Sequence, residues 1–201
     1  MKINFRLLLG GLLVVAVLAG LQVWQGLQNN TASLASKPTG ANFTLQSIDG
    51  DFSLSDLEDD QLALIYFGYT WCPDICPMSM VFLEQAMQEL PANQRRQLQP
   101  LFISVDPDRD TPERLASYVD FFDADILGLT HPDEDYLEEL ARSYGAFFRK
   151  VELDSAMGYA LDHTSEFYLA NNQGELLATL PHSSNAEQLR TTLTSALEGL
   201  N

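Results

Sequence analysis

Two cysteines are the chain's whole complement of thiols, and only three residues separate them in Cys72-Pro73-Asp74-Ile75-Cys76. They follow the run Leu62-Ala63-Leu64-Ile65-Tyr66-Phe67, whose unbroken apolar character reads as a strand buried on both faces. A thiol pair between a central strand and the next helix restricts what the chain can fold into. A proline follows each cysteine. Residues four apart on a straight helix hold their Cβ atoms about 5–6 Å apart, whereas a disulfide needs about 3.8 Å. Pro77 also biases Cys76 away from helical angles. The spacing therefore predicts a loop pinned by Pro73 and Pro77, with both sulfurs aimed at a helix that starts at Pro77 and runs to about Leu90. Positive potential at that helix start favours thiolate, the form that redox chemistry and metal binding both use. A disulfide closing so short a loop removes little chain entropy, so a stabilising role is not what the pair offers. Two inert buried thiols are the plain alternative.

The first 41 residues read differently from the rest. Lys2 and Arg6 precede residues 7–27, which are almost wholly apolar, with Gln22 and Gln25 near the far end. About 20 apolar residues suffice to span a bilayer, and the basic flank should stay in the cytoplasm. We therefore expect residues 1–27 to form an N-terminal transmembrane helix and residues 28–41, polar or small, a flexible linker. Residues 42–201 then form a domain outside the cytoplasm; the expected setting is a bacterial inner membrane crossed once, with this domain in the periplasm. A cleaved signal peptide is the competing reading, since Val17-Leu18-Ala19 and Ser33-Leu34-Ala35 offer small-residue cleavage sites. A lipoprotein signal is excluded, because Leu21 stands where the lipidated cysteine is required. The net charge of −17 and the lack of any Lys/Arg cluster exclude affinity for nucleic acid or anionic headgroups.

Along the domain, residues 43–45 and 52–54 flank an Asp49-Gly50 hairpin turn. The central strand covers residues 62–68 and a second buried strand residues 101–105. Thr111-Pro112-Glu113 supplies an N-cap, an N1 proline and a first-turn acid for a helix ending near Phe122. A short strand follows at residues 126–129. Apolar residues at helical spacing then predict a helix over residues 133–144, stopped by Gly145. Strands at residues 147–153, 167–170 and 176–180, the last two joined by Asn172-Gln173-Gly174, and a helix at residues 186–197 complete the pattern. Alternating strands and helices, then a hairpin and a last helix, indicate an α/β domain of thioredoxin-like type.

A third donor for the cysteine pair stands far off in sequence, in Asp162-His163-Thr164 just before the strand at residues 167–170. In such a sheet that strand can lie near the cysteine loop, so Cys72, Cys76 and His163 can converge. Soft sulfur with imidazole suits copper in either oxidation state, and zinc could use it too. A histidine beside an aspartate is otherwise a surface residue. Asp106-Pro107-Asp108-Arg109-Asp110 departs from a calcium loop at its sixth and twelfth positions, Thr111 and Ser117, and reads as an acidic turn capping a helix. Met78, Met80 and Met157 read as packing residues, and His131 and His182 as surface positions.

These residues together resemble the Sco/SenC family of copper proteins that assist cytochrome c oxidase assembly. The resemblance rests on Tyr66-Phe67-Gly68-Tyr69-Thr70-Trp71-Cys72-Pro73-Asp74-Ile75-Cys76-Pro77 and on Phe102-Ile103-Ser104-Val105-Asp106-Pro107 with Arg109-Asp110-Thr111-Pro112. Gly128-Leu129-Thr130 and Asp162-His163-Thr164 complete it, in the family's order, from about Phe43 to the C-terminus. It implies one copper ion held by Cys72, Cys76 and His163, with Asp74 and Asp162 as candidates for outer control of orientation and charge. It also implies partners: the copper-accepting subunit of cytochrome c oxidase, and an upstream copper donor or thiol reductant. Trp71 and His131 depart from common family residues; an indole at position 71 would dry the site. The alternative is a thiol–disulfide oxidoreductase acting through Cys72 and Cys76, one sulfur attacking and the other resolving. Sensing of redox state or copper is a third reading. A peroxidase fits less well, since the cysteine motif contains no cation.

Overall fold

The computed structural model describes residues 20–22, 37–182 and 185–200. It divides into two units, residues 1–37 and residues 38–201. In the first, residues 20–22 are helical. The rest of the expected anchor, and residues 28–36 of the expected linker, lie outside the described residues. Among those described, no helix is long and apolar enough to cross a membrane.

The second unit is built around β3 (Leu62–Gly68), buried along all but its first residue. Such a strand needs partners on both edges, and it has them. β4 (Leu98–Ser104) runs parallel to it and β8 (Phe167–Ala170) antiparallel. With β5 (Leu127–Leu129) and β9 (Leu176–Leu180) the sheet has the order β5-β4-β3-β8-β9. Tyr66 and Phe67 point to opposite faces, as successive strand residues must. Tyr66 stacks on Phe102, which meets Tyr118 of α3 (Pro112–Val119). Phe67 meets Tyr144 of α4 (Glu134–Tyr144). Burying each such large side chain is worth about 1.5–3 kcal/mol, which makes the end of β3 a firm base for whatever follows it.

α1 (Ile75–Glu89) follows β3 directly and packs against α5 (Ala186–Leu200); the short α2 (Ala92–Arg96) leads into β4. Two ribbons stand outside the main sheet: β1 (Thr44–Ser47) with β2 (Gly50–Ser53), and β6 (Phe148–Glu152) with β7 (Tyr159–His163). The expected caps are present. Thr111 Oγ1 accepts the Arg114 N–H, Asp133 Oδ1 accepts those of Asp135 and Tyr136, and Gly145 ends α4 in the left-handed region at φ 88°.

Several boundaries shift by one to three residues from the sequence reading; three of these shifts, and one strand it lacked, matter most. α1 begins at Ile75 and not at Pro77, which places Cys76 within its first turn. The opening N–H groups of a helix have no acceptor within it, so a proline at the third helical position forfeits no bond. β4 starts at Leu98 and runs through Pro100, which is tolerated because β5 joins only from Leu101. α3 stops at Val119, short of Phe122. β7 has no counterpart in the sequence reading, and His163 is its last residue.

Candidate metal centre

The cysteines owe their position to the end of β3. A Cβ on Gly68 would lie 3.0 Å from Cys76 Sγ and 2.9 Å from the Phe102 ring, so only glycine lets the sulfur rest against the strand. The chain then turns, the Cys72 N–H bonding to the Tyr69 carbonyl at 3.2 Å. In the first turn of α1, the Cys76 N–H points at Cys72 Sγ, 3.4 Å away. Beneath the turn, fully buried Asp110 accepts hydrogen bonds from Thr70 N (2.8 Å), Thr70 Oγ1 (2.5 Å) and Ser104 Oγ (2.7 Å). This carboxylate ties the cysteine loop to the loop after β4.

His163 arrives from the β6–β7 ribbon, opposite Phe148. Its Nε2 lies 3.2 Å from Cys76 Sγ and its Nδ1 3.0 Å from the Thr164 carbonyl oxygen. A carbonyl can only accept, so Nδ1 carries a hydrogen and Nε2 is the nitrogen turned to the sulfurs. Tyr66 and Tyr69 meet the imidazole edge to face, with centroids 6.2 and 5.7 Å away. Tyr69 Oη also accepts the Leu161 N–H of β7 at 3.3 Å, joining cysteine loop and ribbon. The donor atoms of Cys72, Cys76 and His163 all lie within 4.8 Å of one another. Among the described residues they are the one group of three or more His, Cys, Asp or Glu side chains gathered closely enough to hold a metal ion. Neither sulfur is in a disulfide.

The two thiols are electrostatically unlike. A hydrogen bond from the Cys76 thiol is the largest influence on Cys72; with His163 and the Asp74 and Cys76 amides it outweighs burial and lowers the Cys72 pKa to about 3. Burial pushes Cys76 well above its ordinary range, and the Cys72 thiolate beside it adds to the rise. Cys72 is therefore a ready thiolate and Cys76 a thiol beside the imidazole. Two soft sulfurs and an imidazole whose remote nitrogen is pinned on a backbone carbonyl form a donor set suited to copper or zinc.

The remaining candidates sit elsewhere. Asp162 points to the exposed face of the ribbon and pairs with Arg149 at 2.8 Å, so it does not turn to the centre. Asp74 precedes α1 and serves Cys72 through its backbone amide. Met78 is exposed on α1, Met80 is buried in the core, Met157 lies in the β6–β7 turn, and His182 is exposed beyond β9. His131 has a role that the sequence did not suggest: its Nδ1 accepts the Asp133 N–H at the start of α4, and its ring packs on Tyr136. Trp71, 41% exposed, lies between the guanidiniums of Arg109 and Arg114. Two acids of the turn prove to be interior, while Asp108 between them stays exposed. Asp106 and Asp110 are fully buried, and Tyr159 Oη donates to Asp106 Oδ1 at 2.6 Å. The one local hint of this was the arginine within the turn; the partners Thr70 and Tyr159 are remote in sequence.

A thioredoxin-like α/β domain with two thiols and an imidazole gathered at the end of its central strand defines a class of proteins with a Cys–Cys–His centre. The family model described as SCO1/SenC matches residues 31–198, and the chain belongs to that family. It is 37% identical over 139 residues to the human protein SCO1 homolog, mitochondrial, which covers 69% of this chain and 46% of that relative. The chain thus spans about half the length of that relative. Among solved structures it resembles copper-bound ScoI of Arabidopsis thaliana, with a TM-score of 0.71 and 28% identity over 80% of this chain and 99% of that one. It also resembles BsSco, described as a member of the Sco family of cytochrome c oxidase assembly proteins with a disulfide switch. There the TM-score is 0.57 and the identity 25%, over 81% of this chain and 97% of that one.

Proposed function

We propose that the protein binds one copper ion through Cys72, Cys76 and His163, and that it delivers copper to, or matures the copper site of, cytochrome c oxidase. The observation that carries this reading is the convergence of two free sulfurs and an imidazole nitrogen within 4.8 Å. Copper in the Arabidopsis relative and the oxidase-assembly description of BsSco support it. Cys72 enters as a thiolate, so capture of the ion displaces a single thiol proton, that of Cys76. Copper would leave by ligand exchange with an acceptor thiol site. Residues 1–27 would anchor the chain, residues 28–41 would act as the linker, and residues 42–201 would work outside the cytoplasm, near a membrane-bound target.

The second reading, thiol–disulfide exchange, draws on the unlike thiols: a thiolate at Cys72 to attack a partner disulfide and a protonated Cys76 to resolve it. Titration of the reduced chain with copper, alongside Cys72→Ser, Cys76→Ser and His163→Ala, separates the two. One copper per chain, lost or sharply weakened in all three variants, supports the metal-binding reading. Weak binding indifferent to His163, with facile disulfide cycling in the parent, overturns it in favour of the oxidoreductase.

A further inference from the structure

Arg109 stands between the two halves of the centre. It belongs to the loop after β4, yet its side chain is 15% exposed. Nε donates to Asp106 Oδ2 at 2.5 Å, and Nη1 donates to the Tyr159 carbonyl at 3.1 Å. The guanidinium carbon lies 3.7 Å over the Tyr159 ring, 5.4 Å from that of Trp71 and 5.8 Å from that of Tyr69. Asp106 binds the same tyrosine from its other oxygen, through the 2.6 Å bond from Tyr159 Oη. Tyr159 opens β7, the strand that ends in His163. Tyr69 and Trp71 lead into Cys72.

A buried ion pair is a weak route to stability, and Nη2 is buried here with no hydrogen-bond acceptor. What the arrangement supplies is geometry. The aromatic faces offset part of the guanidinium's lost hydration, while its planar fork serves two acceptors at once, one in the loop after β4 and one at the start of β7. A lysine in the same place has one ammonium and cannot make both bonds while lying flat on Tyr159. Lys150 also ties the ribbon down, to Asp108 and Glu134, but its carboxylate partners are exposed and the pairs are screened by water and salt.

We propose that Arg109 is the positioning residue of the metal centre. Held by Asp106, it docks the start of β7, so that four residues on His163 Nε2 comes within reach of the two sulfurs. It does not touch the metal or a ligand atom. The proposal rests on the reading of Cys72, Cys76 and His163 as a metal site, and it separates the imidazole from the thiols: loosening Arg109 releases the former and leaves the latter.

The test compares the parent chain, fully reduced, with Arg109→Gln, Arg109→Lys, His163→Ala and the Arg109→Gln/His163→Ala double variant. Amide spectra establish that each is folded, and Arg109→Lys serves if Arg109→Gln does not fold. Copper affinity is read by competition with a chromophoric chelator, and site geometry by the thiolate-to-copper(II) absorption band. Both Arg109 variants should bind copper about 10–100-fold more weakly, the range typical of residues that orient a ligand, with an altered band. The double variant should bind as His163→Ala does, and the reduction potential of the Cys72–Cys76 pair in Arg109→Gln should move in the same direction as in His163→Ala, which also takes the imidazole from the sulfurs. Parent-like affinity in both Arg109 variants, or a loss that adds in full to that of His163→Ala, overturns the proposal. If the parent itself takes up no copper, the functional reading falls, and the imidazole nitrogen resonances of the metal-free protein decide the positioning claim alone. A His163 tautomer held in the parent and averaged in Arg109→Gln supports it; identical resonances in the two overturn it.

Discussion

Cys72 and Cys76 lie at the end of a strand that is buried along nearly its whole length and paired on both edges, whereas His163 ends a strand of a two-stranded ribbon with only one buried residue. The sulfurs are placed by the hydrophobic core: Gly68 admits Cys76, and buried Asp110 braces the turn through three short hydrogen bonds. The imidazole is placed by a handful of polar ties from Tyr69, Asp106, Arg109 and Lys150. Core packing is cooperative and unyielding, while individual polar ties open locally at lower free energy. Thiol chemistry should therefore survive disturbances that abolish the three-donor site.

The largest effect that would break this contrast is expected at Asp110. Asp110→Ala leaves Thr70 N, Thr70 Oγ1 and Ser104 Oγ without their acceptor and Arg114 without its carboxylate, though still bonded to Thr70 Oγ1. A loss of about 3 kcal/mol or more is expected, read as a drop in the urea midpoint. A loss below about 1 kcal/mol would mean that the cysteine turn has other support.

The pairing of the two thiols sharpens the comparison at the next level. The thiolate absorbance of the reduced parent should persist in acid, down to about pH 3. In Cys76→Ala the midpoint should climb toward the ordinary cysteine range, because the thiol of Cys76 is the largest influence holding it down. The folded-state value lies below that of the unfolded chain. Ionisation of Cys72 therefore adds stability as pH rises from about 3, levels off near the unfolded thiol's pKa of about 8.5, and is lost again as pH falls. An unchanged midpoint in Cys76→Ala would assign the thiolate to the helix start instead. The smallest effect belongs to the outer face of the ribbon. Arg149→Ala removes an exposed pair with Asp162 and should change stability by at most about 0.5 kcal/mol and copper affinity not at all. A clear fall in affinity would show that the ribbon's surface, and not only its clamp, governs His163.

The same division explains what could be read from the residues alone. β3, the caps of α3 and α4, the left-handed Gly145 and the cysteine pair were legible because each is local: an apolar run, an N-cap with its proline, a stop, a spacing. Cys72, Cys76 and His163 were singled out together, and the structure gathers their donor atoms. The strand that carries His163 was not legible, because β7 owes its form to β6 and to the clamp beneath it, not to an apolar alternation of its own. Asp106 and Asp110 read as no more than an acidic turn capping a helix for a related reason. Nothing within several residues of either announces Tyr159 or Thr70, and a buried carboxylate is recognised only by its distant donors.

Trp71 and Trp24 are the chain's two tryptophans, so residues 38–201 contain a single indole. It adjoins Cys72, half open to solvent and flanked by two guanidiniums. A fluorophore so placed makes the protein its own indicator. Emission from this one ring should follow closure of a disulfide, arrival of a quenching metal ion and seating of a partner, each in real time and without a label.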